Sequence, residues 1–270
     1  MVSRSIHKVA HTAILLCIIA ALGGCSQLFA HAKSRDQFQA TAANAGVRYL
    51  SGSQALADRL AASLEGSRKI VEQFHGAQFP QPIQVFVCKT DCITAFAPGS
   101  KNDPATQLGN AVFVNEDLVL QREQQRGVAP DGYLVHELAH LLLYQRAGVI
   151  AYLRVPAWFK EGVACTASNG AGIAATSAQA AQSIREGKFI DPAEAGSIFR
   201  NRTASSYGLP VSIFYRQSHL FVQYLKDQNS AAFSLAIAAI LQGDDFQESF
   251  RRAYGQPIAS YWPGFVNTVQ

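Results

Sequence analysis

The chain has 270 residues, of which 49% are hydrophobic, enough to bury a core and to exclude a disordered polypeptide. Its formal charge is +4; removing Arg4 and Lys8, which lie in an export-type leader, from the 23 basic residues leaves 21 against 19 acidic, or +2. So small an excess excludes the electrostatic footprint of a nucleic-acid-binding protein.

The N-terminus reads as a targeting segment. Arg4 and Lys8 supply a positive region, and Ala13 to Leu22 is an apolar run too short to span a bilayer. It closes on Leu22, Gly23, Gly24 and Cys25, which resembles the lipobox of bacterial lipoproteins; that resemblance implies cleavage before Cys25 and lipidation of its thiol. Ordinary secretion is the alternative, since Ala30-His31-Ala32 offers a small-x-small cleavage site. Either route exports the chain, and the lipid route puts it at the cell envelope, anchored to a membrane and facing the periplasm or exterior. Residues 25–46 show no periodicity and read as a tether, with a flexible reach of roughly 25 Å.

Along the folded part, Val47 to Leu50 is a short strand. Leu56, Leu60, Leu64, Val71 and Phe74 then recur at helical spacing from Ser53 to Phe74. Pro80 and Pro82 end that helix. Ile83 to Val87 reads as a buried strand and Gly109 to Val114 as a second. Between them, Cys88 and Cys92 flank Thr90 and Asp91, which suit a turn; in an oxidising envelope these two cysteines are the expected disulfide, and Cys165 is left over. Asp131 reads as the N-cap of a helix to about Arg146, with Gly148 past its end. Another helix starts near Pro156. The remainder from Ala175 reads as helical, broken at Asp191-Pro192, Leu209-Pro210, Gly243 and Gly255 to Pro257.

The helix after Asp131 contains His136-Glu137-Leu138-Ala139-His140, the H-E-x-x-H pattern. Residues four apart lie one turn above each other, so both imidazoles reach one metal while Glu137 sits about 100° round the axis, free to touch a metal-bound water. By composition the pattern arises by chance in on the order of one such chain in two hundred, so a surface helix with unrelated His and Glu is a weak alternative. Leu134, Val135, Leu138 and Leu141 to Leu143 also make the helix a buried one, where unpaired polar groups cost several kcal/mol. A metal supplies the missing partner.

A catalytic zinc takes three protein ligands and keeps one open position. Twenty-one residues beyond His140, Trp158-Phe159-Lys160-Glu161-Gly162-Val163-Ala164 is similar to the W-x-x-E-G-x-A segment of gluzincin metallopeptidases, whose second helix delivers a ligand glutamate. The resemblance spans about Val47 to Phe265 and implies an α+β fold, with a short mixed sheet packed on the HExxH helix and a mainly helical C-terminal subdomain. The expected division is residues 47–170 for the first part and 171–270 for the second. It also implies Zn2+ held by His136, His140 and Glu161, with Glu137 as general base. Phe214-Tyr215-Arg216-Gln217-Ser218 resembles the aminopeptidase N branch, in which a helical tyrosine donates to the oxyanion. That role falls to Tyr215, with His219 as the rival donor.

Two positions depart from the family. Cys165 stands where members often carry an acid that orients a ligand histidine, and Gly109 to Val114 contains no acid to hold a free amine. The expected activity is therefore endopeptidase cleavage of a peptide or protein, with the substrate added as a strand along Gly109, Asn110, Ala111, Val112 and Phe113. The rival reading is a non-catalytic zinc-containing envelope protein that uses the peptidase fold as a binding module. Nothing in the sequence sets the oligomeric state.

Overall fold

The computed structural model describes residues 34–197 and 201–269. The signal segment, Cys25 and the first part of the expected tether lie outside these residues. Among the described residues the chain is α+β, with a five-stranded mixed sheet and ten α-helices. No helix among them is long and apolar enough to cross a membrane.

The sheet runs in the order β1 (Gln39–Ala40), β2 (Val47–Tyr49), β3 (Val85–Cys88), β5 (Ala111–Asn115), β4 (Ala105–Leu108). The β2, β3 and β5 strands are parallel, with Val47 opposite Val85 and Val85 opposite Val112; β1 and β4 close the two edges antiparallel. Side chains alternate across a strand. Val85, Val87, Val112 and Val114 therefore face one side, while Phe86, Cys88 and Phe113 face the other. Both faces are covered, which is why β3 and β5 are almost unbroken apolar runs.

The first face is covered by α1 (Gln54–His75), through Leu56, Leu60, Leu64 and Val71 as the spacing predicts. On the second face lies α2 (Thr90–Phe96), where a turn was expected, and Cys92 on it is bridged to Cys88 with Cα atoms 5.9 Å apart. Phe38 packs there as well, edge-on to Phe86 and Phe96 at 5.0 and 5.2 Å. This corrects the tether: the fold begins before residue 47, because burying Phe38 and pairing β1 ties the preceding segment to the sheet.

The β4–β5 hairpin was also not foreseen. Gly109-Asn110 is a two-residue loop that joins strands paired from Leu108 and Ala111, and Gly109 takes φ +57°, open to glycine at no steric cost. After β5, Asn115 caps α3 (Glu116–Arg126), its side chain accepting from Leu118 N.

The next helix, α4 (Pro130–Arg154), starts two residues earlier than expected: Ala129 is the N-cap and Pro130 fills the first helical position, while Asp131 sits in the first turn, where a carboxylate favours the positive end of the helix. Gly148, at φ +77° and ψ 162°, breaks it where the sequence placed its end. Helix α5 (Ala157–Ala167) follows with Pro156 as N-cap. The remaining helices are α6 (Ser177–Arg185), α7 (Val211–Gln228), α8 (Ser230–Leu241), α9 (Phe246–Tyr254) and α10 (Trp262–Val269). Breaks fall at Pro210, Gly243 and Gly255 as expected. The one at Asn229, whose side chain caps α8 by accepting from Ala232 N, was not anticipated.

Trp158, Phe159, Phe221, Phe246, Phe250 and Phe265 form a second, aromatic core under these helices. By packing, α5 belongs mainly to that core through Trp158, Phe159 and Val163, while Ala164 reaches the first. The seam between the two cores therefore passes between α4 and α5.

Candidate metal centre and cleft

Across that seam three donors converge. Tyr133, His136, Glu137 and His140 lie at spacings of three and four on α4, so they share one side of the helix, while Leu134, Leu138, Leu141 and Leu142 bury the other against the sheet and α1. Glu161 comes from α5, whose Trp158 and Phe159 sink into the aromatic core. Gly162 sets how near α5 lies to α7, since a Cβ there would stand 2.5 Å from Ser218 O.

The His136 Nε2 atom is 3.2 Å from Glu161 Oε2 and 3.2 Å from His140 Nε2, and His140 Nε2 is 3.4 Å from Glu161 Oε2. Two imidazole nitrogens and a carboxylate oxygen on a tetrahedral centre with bonds of about 2.05 Å stand about 3.3 Å apart. The three donors match that spacing, so His136, His140 and Glu161 form a group able to hold a metal ion. Lys160 is no rival partner for Glu161. Its ammonium approaches Tyr152 O at 3.3 Å and lies 4.3 Å over the Tyr152 ring.

The charges follow from this packing. Burial would raise the Glu161 carboxyl, but His140 and His136 outweigh it and hold the group below the usual carboxylate range. Burial would lower His136, yet Cys165, Glu161 and Glu137 together raise it well above an ordinary histidine. Glu137 is pushed upward, first by burial, against the opposing pull of both histidines. Cys165 Sγ lies 3.8 Å from His136 Nδ1, so the thiol contacts the ring nitrogen turned away from the other two donors. A thiol is a weak hydrogen-bond partner there compared with a carboxylate.

The triad opens on a cavity of about 530 Å³ lined by the three donors, Glu137, Tyr215 and the edge strand β4. The Tyr215 ring stacks beside His136 with centroids 6.1 Å apart. Its hydroxyl is pushed well above the usual tyrosine range by Glu161, then by burial, so it remains a proton donor. His219 does not line the cavity; its Nδ1 lies 3.4 Å from Arg216 Nη1. The two rivals are thus separated by position.

The expected substrate strand is corrected. Ala111, Val112 and Phe113 belong to β5, an interior strand bonded to β3 on one side and β4 on the other, and Gly109 and Asn110 form the hairpin loop. A main chain already paired on both sides cannot accept another strand. Of the two edge strands, β4 is the one that lines the cavity, and there Gln107 donates its backbone N–H to Glu137 Oε2 at 2.7 Å. Antiparallel alternation then turns the backbone of Ala105 the same way.

Sequence reasoning also passed over Gln107, Tyr133 and Tyr152, which line the cavity, with Tyr152 OH donating to Gln107 Oε1 at 3.1 Å. Tyr133 was legible, because it shares the helical side of His136 and Glu137. Gln107 could have been approached through the Gly-Asn hairpin signal, which marks the preceding run as a strand. No protein-family model matches this chain, and no curated protein matches it.

Proposed function

We propose that the chain is a zinc metallopeptidase, exported and lipid-anchored at Cys25, that cleaves peptide bonds internally. The carrying observation is that Glu137 sits beside the donor group yet outside it, with its carboxylate directed at the edge strand β4. A site that only holds a metal for structure normally closes its fourth position with protein and has no use for a spare carboxylate.

When bound, zinc supplies a Lewis acid that polarises a carbonyl and makes a water acidic near neutral pH. His136, His140 and Glu161 would hold it. The chain's own residues do the rest. An extended substrate takes over the Gln107 N–H from Glu137, pairs with the outward backbone groups of β4 and brings its carbonyl towards the carboxylate so released. Glu137 takes the proton of the attacking water as its oxygen bonds to the carbonyl carbon. The same proton then passes to the amide nitrogen as the carbon–nitrogen bond breaks. Tyr215 donates its hydroxyl proton in a hydrogen bond to the carbonyl oxygen as negative charge gathers there.

The second reading, a zinc-holding binding module, draws on the 3.8 Å contact of Cys165 with His136 Nδ1, a looser support than a carboxylate provides. Metal analysis of the purified protein, followed by exposure to a proteome-derived peptide library with and without chelator, separates the readings. Chelator-sensitive internal cleavage supports the peptidase; a zinc-loaded protein that cleaves nothing supports the module.

A further inference from the structure

The cavity does not end at the metal centre. It is also lined by Arg122 and Arg126 of α3 and by Tyr133 of α4, one helical turn before Glu137. The two arginines are four residues apart, so they project from one side of α3, where like charges repel unless something answers them. Among the described residues neither has a carboxylate within 4.0 Å. Arg122 donates instead to Asn102 O at 3.2 Å. Asp103 lines the same cavity and feels the charge of Arg122 and of Glu161 alike, so it is not a dedicated partner of either arginine. The Tyr133 hydroxyl is buried there with no hydrogen-bond partner within 3.5 Å, although the Arg122 guanidinium is near enough to act on it, and so loose a contact leaves the hydroxyl free to serve a ligand.

Arg126 alone has an ordinary explanation, since a cation in the last turn of a helix favours its negative end. That account covers neither Arg122, a turn earlier, nor the Tyr133 hydroxyl. Tyr133 also fixes the distance. It precedes Glu137 by four residues on α4, about 6 Å along the axis, which is about two residues of an extended peptide.

We infer that this part of the cleft is a carboxylate subsite, which selects peptides bearing an acidic side chain or a free C-terminus one or two residues from the bond that is cut. The inference rests on the peptidase reading for the word "cut", but not for binding. Two guanidiniums can grip a carboxylate through charge-assisted hydrogen bonds, with Tyr133 as a third donor.

The test separates binding from cleavage. Metal-loaded Glu137→Gln protein is titrated, by fluorescence anisotropy, with labelled hexapeptides that differ only in Asp against Asn at successive positions, or in a free against an amidated C-terminus. Wild type meets the same peptides in a cleavage assay. One placement of the carboxylate should bind at least about tenfold more tightly than its neutral isostere, the value of one charge-assisted hydrogen bond. The Asp and C-terminal series show which carboxylate is read. Arg122→Gln and Arg126→Gln, each added to Glu137→Gln, should erase most of that preference; Arg126 makes no hydrogen bond within the described residues, so its variant should fold unchanged.

Equal binding of charged and neutral peptides overturns the subsite, as does a preference that survives both arginine changes. Cleavage by wild type without acidic preference overturns the subsite and leaves the peptidase standing. Arginine-dependent binding of acidic peptides that are never cut keeps the subsite and overturns the peptidase. Absence of both binding and cleavage overturns both.

Discussion

Glu137 Oε2 accepts the backbone N–H of Gln107 at 2.7 Å, so the carboxylate beside the donor group is also the tie between α4 and the β4 edge of the sheet. Glu137→Gln leaves an amide oxygen that can accept the same bond but cannot take a proton. Metal content and melting temperature should hold, while turnover falls by on the order of a hundredfold or more. Parallel metal analysis and steady-state kinetics check this; undiminished turnover removes Glu137 from the chemistry.

Tyr215 and His219 were rivals for oxyanion donation, and only Tyr215 lines the cavity. Tyr215→Phe should raise the barrier by about 2.7 to 4 kcal/mol with metal binding intact. His219→Ala should change turnover much less. The opposite order in kcat would reverse the assignment.

The donor spacings of 3.2, 3.2 and 3.4 Å lead to an expected content of about one zinc per chain. Both histidines must be neutral to bind, so retention should fail as the medium is acidified and protons displace the metal. His140→Ala and Glu161→Ala should each abolish tight binding. Elemental analysis after dialysis at graded pH decides, and native protein that stays metal-free after exposure to zinc would sink the assignment.

His75 is buried, its Nδ1 paired with Val71 O at 2.8 Å and its Nε2 without a partner. Burial, reinforced by nearby His140, pushes its pKa down to about 4 despite the Val71 contact. The folded value lies below the unfolded one, so the stabilising contribution is complete above pH about 6.5 and is lost as the pH falls towards 4, roughly 3 kcal/mol in all. Denaturant titrations of wild type and His75→Gln across that range should converge as the pH falls. Parallel curves would refute the account.

Cys25→Ser tests the anchor. The lipobox reading expects the protein to leave the membrane fraction, as a soluble or uncleaved form. Fractionation and intact mass measure it, and an unchanged mass and distribution would exclude lipidation.

Local pattern carried α1 well, because Leu56, Leu60 and Leu64 repeat on one side of a helix and little else competes with that signal. It failed for α3, where Leu118, Val119 and Leu120 are consecutive and most other positions are polar, so no apolar stripe exists to read. It failed for β4 because Ala105-Thr106-Gln107-Leu108 is short and only partly buried. The tether was misjudged because Phe38 finds its partners, Phe86 and Phe96, about 50 residues away.

The sequence by itself determined the fold class, the Cys88–Cys92 pair and the metal-donor group, because each depends on residue type at helical, strand or turn spacing, or on a motif specific enough to name its partner. Only the tertiary structure decided which edge strand lines the cavity, which of Tyr215 and His219 faces the cleft, and that Arg122, Arg126 and Tyr133 share a cavity with Glu137. Those facts depend on how α3, α4, α5 and α7 pack across two cores, and packing joins residues whose separation along the chain carries no periodic signal.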